Sequence, residues 1–509
     1  MGTTQEPYKC NEKTADATNE TLQDASVGEY TDYQASPEVE RRLLWKLDLF
    51  MIPTMGICYM LQYMDKLALS QATLLNIRSD LVSDIEKHVL SGHQPFSHAA
   101  PGWPGIYLVL CDLLFWLSRV EWTHVVFDHS PSLGKYLAVS VFLWGGILMC
   151  HAACQNYAGL VTVRFFLGVG EAAVAPGFGL ITGMFYKREE QPARQAAWFI
   201  GNCVANIIGG IVAWGIGNSA SAIQSWRLLF LVLGGITSGY AIILFFILPD
   251  SPAKASFLTE SERRIAVQRT LKNKTGTTQV TEAFKWSQVS AAAKDPQAWC
   301  LVLYTFCFSA IIIAGFGYSN FESLLLQMPM GLSQLVFLFI TAAIATYIPS
   351  SRIMAMILNV VVAVIGVVLI YTLDDLHKIV KLVGLAFVAA FAANIPLCLS
   401  IVTSNVAGST KRSTVSVAIF AAYCVGNIVG PQFFYASQEP VYLSGIQASL
   451  CGLTLGVLCL GCLFTYYAWE NKRRDRRNGI VSDGSDAQDI VEEMQNRTDK
   501  EILTFRYTL

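Results

Sequence analysis

The octapeptide Cys203-Val204-Ala205-Asn206-Ile207-Ile208-Gly209-Gly210 comes back, nearly unchanged, as Cys424-Val425-Gly426-Asn427-Ile428-Val429-Gly430-Pro431. Phe199, upstream of the first copy, has its counterpart in Phe420. Each copy follows a short basic segment, Lys187-Arg188 to Arg194 in one case and Lys411-Arg412 in the other. Both copies sit in long apolar stretches. The shared polar Asn makes chance similarity of two glycine-rich helices the weaker explanation. A membrane chain whose halves repeat in the same orientation reads as a two-bundle carrier, with its substrate held between the halves near the bilayer midplane.

Composition supports a bilayer. The chain has 509 residues, 53% hydrophobic and 15% charged, with a mean hydropathy of +0.42. Soluble domains carry about 25% charged residues. The net charge of -2 supplies no global pull toward nucleic acid. The thirteen cysteines lie mostly singly within apolar runs, so neither a disulfide framework nor a metal site is indicated. The N-terminus is polar through Glu40, which is unlike a cleavable signal peptide.

A hydrocarbon core of about 30 Å needs roughly 20 apolar residues per helix. Candidate spans fall at 47–66, 104–127, 134–155, 159–183, 196–217, 227–248, 299–318, 330–348, 353–373, 379–403, 413–434 and 446–468. The polar stretch 250–298 divides these twelve six and six, and residues 258–271 within it could form an amphipathic surface helix. The predicted organisation is a tail over 1–44, a bundle over 45–249, a central loop over 250–298, a second bundle over 299–470 and a tail over 471–509. The tails (1–36 and 478–509) read as disordered.

Positive charge sets topology. Arg41, Arg42 and Lys46 precede the first span. Lys135, Lys187, Arg188, Arg194, the central cluster, Arg352, Lys411 and Arg412 follow even-numbered spans, and Lys472 to Arg477 follow the last. Both termini and the central loop are therefore predicted cytoplasmic.

An ionisable residue inside a span costs about 2.5–3.5 kcal/mol on insertion scales, so each one needs a reason. The fourth span contains Arg164-Phe165-Phe166-Leu167-Gly168-Val169-Gly170-Glu171-Ala172-Ala173-Val174-Ala175-Pro176. Arg164 and Glu171 lie two turns apart on one helical face. A fixed cation facing a cavity can hold an anionic substrate, and a nearby carboxylate can carry a proton. The alternative is a role in helix packing or at an interface. Asp65-Lys66 is expected at the outer end of the first span, where an interfacial ion pair competes with a proton-coupling role for Asp65. Asn206 and Asn427 either donate to substrate or bond between helices. Tyr423 and Asn394 complete the candidate substrate contacts. No GxxxxGK[ST] occurs, and no catalytic constellation points to an enzyme, so the driving force is expected to be an ion gradient or the substrate's own.

Several stretches resemble one family. Arg41-Arg42-Leu43-Leu44-Trp45-Lys46-Leu47-Asp48 leading to Tyr63-Met64-Asp65-Lys66 resembles the first helix of fungal allantoate-permease-type transporters. These belong to the anion:cation symporter group of the major facilitator superfamily. Arg164 to Pro176, Met184 to Gln191, Leu248-Pro249-Asp250-Ser251-Pro252, Val402 to Gly408, Cys424 to Gln432 and Trp469 to Asp475 are similar to it too. The resemblance covers about 45–80, 133–300 and 315–478. It implies an all-α membrane protein with the major facilitator fold: twelve transmembrane helices in two six-helix bundles related by a pseudo-two-fold. It also implies proton-coupled uptake of a small organic anion such as allantoate, ureidosuccinate, nicotinate or pantothenate. The expected carrier needs no cofactor, works as a monomer and sits in the plasma membrane. Arg164 is the implied anion contact and Glu171 the implied proton-responsive carboxylate. The competing readings are an exporter of a secondary metabolite or toxic compound, and a membrane sensor that does not transport.

Two places depart from the family pattern. Between Leu81 and Leu133 the sequence is His-, Pro- and Trp-rich, with Asp112, Arg119 and Glu121 in or near its only apolar run. In the seventh span, Phe306-Cys307-Phe308 runs directly into Ser309-Ala310-Ile311-Ile312, without the family's Asn-Gly-Gly-Leu-Thr-like segment. The flanks resume the pattern, which reads as a mis-spliced or frame-shifted gene; sequencing of the transcript across both places is the test.

Overall fold

The computed structural model describes residues 36–75, 77, 80, 132–171, 174–271, 273, 285–309, 327–372, 378–433, 438, 443–478, 497–502 and 504–509. Most of the atypical stretch 81–133, and the seventh span beyond Ser309, lie outside the described residues. All regular structure among the described residues is helical. In the first half run α1 (Pro37–Leu74), α2 (Leu133–Cys150), α3 (Tyr157–Glu171), α4 (Val174–Phe185), α5 (Gln191–Gly217) and α6 (Ser225–Ile247). The connecting region contributes α7 (Glu260–Leu271) and α8 (Trp286–Ala293). The second half holds α9 (Pro296–Ser309), α10 (Gln327–Tyr347), α11 (Arg352–Thr372), α12 (Lys378–Val388), α13 (Asn394–Asn405), α14 (Ser409–Val429) and α15 (Leu443–Asn478).

Eight helical stretches among the described residues are long and apolar enough to cross a membrane. Their outward faces show why a bilayer is needed: Leu49, Phe142, Leu143, Ile242, Phe246, Leu358 and Leu458 are all exposed, and Phe246 is 76% exposed. Side chains this apolar are stable in contact with lipid and not with water. Both α3 and α4 fall on the fourth predicted span. The eleventh corresponds to α14, whose first turn carries Lys411 and Arg412.

The interior forms two hydrophobic clusters. One gathers Leu43 to Ala266, with Leu338 and Ala393 joining from the second half; the other gathers Ala292 to Tyr507. The sequence repeat has a packing counterpart. In α5, Gly201 lies so close to α1 that an added Cβ would stand 2.2 Å from the Gly56 carbonyl oxygen. In α14, a Cβ on Gly426 would stand 2.6 Å from the Phe306 carbonyl oxygen of α9. Both helices thus use a glycine to approach the first helix of their own half, at positions that do not correspond: Gly201 precedes the first copy and aligns with Ala422, while Gly426 lies in the second and aligns with Ala205. Each copy also uses its Asn alike: the Asn206 amide donates back to the Asn202 carbonyl at 3.3 Å, and the Asn427 amide to the Tyr423 carbonyl at 2.9 Å.

The basic-loop face is braced by ion pairs. Arg194 grips Asp48 with two hydrogen bonds of 3.2 and 2.9 Å, tying α5 to α1. Lys46 pairs with Glu262, and Arg269 with Glu190, which holds α7 against this face.

One expectation fails here. The stretch 478–509 reads as disordered, yet residues 497–502 and 504–509 are packed onto the second half. Ile502, Phe505 and Tyr507 are buried there, and Asp499 meets Lys411 inside the protein. Burial works against the Lys411 charge, but Asp499 and Asp295 outweigh it and hold the ammonium above its usual range. Window averages over a polar stretch cannot register apolar residues spaced to fit one surface. Among the cysteines, Cys459 and Cys462 form a Cys-x-x-Cys pair along α15 that a reading of scattered thiols overlooks; both are free.

Candidate functional site

Between the halves lies a cavity of about 290 Å³. Tyr59, Tyr63 and Lys66 of α1 line it from the first half, with Asn202 of α5. From the second half come Thr305, Phe308, Gln334, Phe391, Thr403, Arg412, Phe420, Tyr423 and Asn427, among others. The walls are mainly apolar, with six aromatic rings (Tyr59, Tyr63, Phe308, Phe391, Phe420 and Tyr423) among aliphatic side chains such as Leu180, Ile395, Leu399 and Val402. Two cations, Lys66 and Arg412, enter from opposite halves. This is the usual build of a small-molecule site: apolar bulk with a few placed polar groups.

The cavity has a roof and a floor, both built from contacts between halves. In the roof, Gln334 of α10 donates to Asn202 at 2.9 Å, and Asn206 donates to Gln334 at 3.1 Å. In the floor, Gln195 of α5 donates to Thr403 of α13 at 3.2 Å, and Thr403 donates to Gln191 at 2.9 Å. Below the floor, Arg188 donates to the Ser404 carbonyl, while Arg352 donates to the Arg188 carbonyl at 2.8 Å. Among the described residues, the halves are therefore bonded on both sides of the cavity.

Behind the α1 wall lie two ion pairs between α1 and α3. Lys66 Nζ is 3.2 Å from Glu171 Oε1. Arg164 Nη1 is 3.9 Å from Asp65 Oδ1, with Asp65 almost wholly buried. Trp144 Nε1 donates to Asp65 Oδ2 at 2.7 Å. The Arg164 guanidinium lies 5.5 Å from the Phe230 ring centre, and His151 stacks on Phe230 with its ring centre 4.8 Å away.

This replaces the expected Asp65–Lys66 pair at an interface. Adjacent helical residues point about 100° apart and do not face each other. Asp65 therefore turns into the bundle toward Arg164 and Trp144, while Lys66 turns to the cavity and Glu171. The helix also continues beyond Lys66 to Leu74, which places both residues inside it rather than at its end.

The candidate residues separate into four places. Tyr423 and Asn427 line the cavity. Arg164, Asp65 and Glu171 form the layer of charges behind α1, with Glu171 reaching the cavity through Lys66. Asn206 is in the roof, and Asn394 lies elsewhere. Fully buried in the second half, Asn394 donates to the Tyr304 hydroxyl at 2.9 Å and to the Met356 carbonyl at 3.0 Å, and accepts from Asn359 at 2.8 Å. Three groups escaped the sequence reading. Arg412 passes for a topology-setting loop charge, Lys66 for the neutraliser of Asp65, and Gln334 gives no signal within its apolar span. The offset of the repeat offers one clue: it aligns Asn202, a cavity residue, with Tyr423, another.

Comparison with known proteins agrees with this architecture. Residues 133–431 match the Major Facilitator Superfamily. The chain is 36% identical to an uncharacterized transporter of Schizosaccharomyces pombe, over 94% of this chain and 89% of that one. It is 30% identical to the allantoate permease of Saccharomyces cerevisiae, over 94% and 89%. Among solved structures, the proton:xylose symporter XylE bound to 6-bromo-6-deoxy-D-glucose superposes with a TM-score of 0.62 at 15% identity, covering 83% of this chain and 95% of that one. The chain is a multi-pass membrane transporter and belongs to the major facilitator superfamily, with its fold.

Proposed function

We propose that this carrier moves a small organic anion inward by alternating access, together with a proton, across the plasma membrane. The observation that carries the reading is the cavity between the halves, lined by one cation from each. An anion between Lys66 and Arg412 bridges the halves, so binding favours the arrangement in which both close on it. The apolar walls with their six aromatic rings suit a carboxylate with an apolar or planar body, and the relative named allantoate permease takes its name from a carboxylate.

Glu171 supplies the coupling. When ionised it competes with substrate for Lys66. When protonated from the acidic side it frees Lys66 for the anion. After the halves rock, loss of that proton returns Lys66 to Glu171 and weakens the hold on the anion. Arg164 neutralises Asp65 behind this switch and keeps the layer of charges in register, so both pairs act together. Residues 45–249 and 299–470 are the two bodies that rock, with both termini and the central loop cytoplasmic as the basic loops imply. One carrier acts alone in this scheme.

The test is uptake of a radiolabelled carboxylate panel at acidic and neutral pH, in cells lacking their own permeases. Acid-stimulated uptake of at least one carboxylate supports the reading. No uptake, with the protein intact at the cell surface, overturns it.

A further inference from the structure

Residues 497–502 and 504–509 do more than pack. They are anchored to the second half and reach the first. Asp499 is the anchor: it meets Lys411 and accepts from the Tyr507 hydroxyl at 2.6 Å. Arg474 of α15 donates to the carbonyls of Asp499 at 2.9 Å and Phe505 at 3.0 Å. Asn471 exchanges two hydrogen bonds with the Tyr507 backbone, at 2.8 and 2.9 Å, and the Tyr507 ring stacks on Tyr467 at 4.9 Å.

Beyond the anchor the segment seals the end of α13, the helix whose Leu399, Val402 and Thr403 wall the cavity. Thr508 donates to Asn405 Oδ1 from both its backbone and its hydroxyl at 2.8 Å, and Asn405 donates back to the Thr508 carbonyl at 2.8 Å. The contact across the halves is made by Arg188, on the α4–α5 connection of the first half. It donates to the Arg506 carbonyl at 3.2 Å, and its guanidinium lies 4.6 Å from the Phe505 ring centre.

We propose that residues 497–502 and 504–509 are a latch that holds the basic-loop mouth of the carrier shut, with Arg188 as its catch. Opening that mouth requires the α4–α5 connection to leave α13. The segment stays with the second half, through Asp499 and Tyr507, so its contacts to Arg188 exist only in the closed arrangement. Contacts made in one state alone shift the equilibrium toward that state. The inference rests on the alternating-access reading but not on the identity of the substrate.

Cys398 gives a native reporter, since it lines the cavity and is buried in this closed form. The experiment measures its alkylation by a membrane-impermeant thiol reagent in inside-out vesicles, quantified by mass spectrometry of the peptide that contains it. Three full-membrane preparations are compared: wild type, a chain lacking 497–509, and Phe505→Ala/Thr508→Ala, which keeps the Asp499 anchor. Loss of the Phe505 contact with Arg188 and of the Thr508 hydroxyl's bonds to Asn405 and Arg352 predicts labelling about three- to tenfold faster in the double substitution, and at least as fast in the deletion. Should the deletion fail to fold, the double substitution decides. Wild-type labelling in a folded, monodisperse Phe505→Ala/Thr508→Ala protein overturns the latch. Faster labelling without uptake of any carboxylate upholds the latch while removing the organic-anion reading.

Discussion

Lys66 Nζ stands 3.2 Å from Glu171 Oε1, and Lys66 is also part of the cavity wall. One ammonium thus faces both an internal carboxylate and the space where substrate would sit. An anion there and an ionised Glu171 compete for the same charge, and this geometry underlies proton coupling in the account.

Replacing Lys66 with Ala removes the contested charge. The expected outcome is a rise in KM of roughly tenfold or more, the loss of one charge-assisted hydrogen bond of about 1.5–3 kcal/mol. Lys66→Arg should recover part of it. Concentration-dependent uptake measures both; an unchanged KM in Lys66→Ala would place the anion elsewhere.

Glu171→Gln imitates the protonated state permanently. Uptake in this variant should lose its acid stimulation, while exchange of internal for external substrate continues, since exchange needs no net proton movement. A pH profile of uptake beside an exchange assay separates the two effects.

The Asp65–Arg164 pair is deeply buried, so removing one partner strands the other. Asp65→Asn and Arg164→Gln should each lower stability by about 3–5 kcal/mol, and the double substitution should cost less than their sum. Thermal unfolding of the detergent-solubilised proteins tests this. Additive losses would mean that the two residues are not coupled.

Asn394 makes a contrasting prediction. Its amide joins α9, α11 and α13 away from the cavity wall, so Asn394→Leu should lower the melting temperature and surface abundance without altering substrate preference. A changed preference ranking at equal surface abundance would give Asn394 a role in recognition.

Sequence patterns carry some of this arrangement and miss the rest for physical reasons. The repeat around Asn206 and Asn427 is legible because both copies place an Asn whose amide donates to the carbonyl four residues before it, on helices that pack against the first helix of each half. Arg164 and Glu171 stand out because charges inside apolar helices are costly and therefore rare. The exchange of partners between Asp65 and Lys66 is invisible in the chain, because it depends on which helix faces each side of α1. Arg412 looks like one more basic loop residue until α14 carries it to the cavity. Residues 497–502 and 504–509 have too few apolar residues for any hydropathy window, yet Ile502, Phe505 and Tyr507, with Asp499 paired to Lys411, dock them on the second half.

The most direct measurement reconstitutes the purified protein in liposomes containing a pH-sensitive dye. A transported carboxylate is added outside without an imposed gradient, and internal pH is followed for wild type and Glu171→Gln. The account predicts that substrate entry acidifies the lumen in wild type, and that Glu171→Gln abolishes net acidification while retaining substrate exchange. Entry of the carboxylate with no movement of protons in wild type would contradict it.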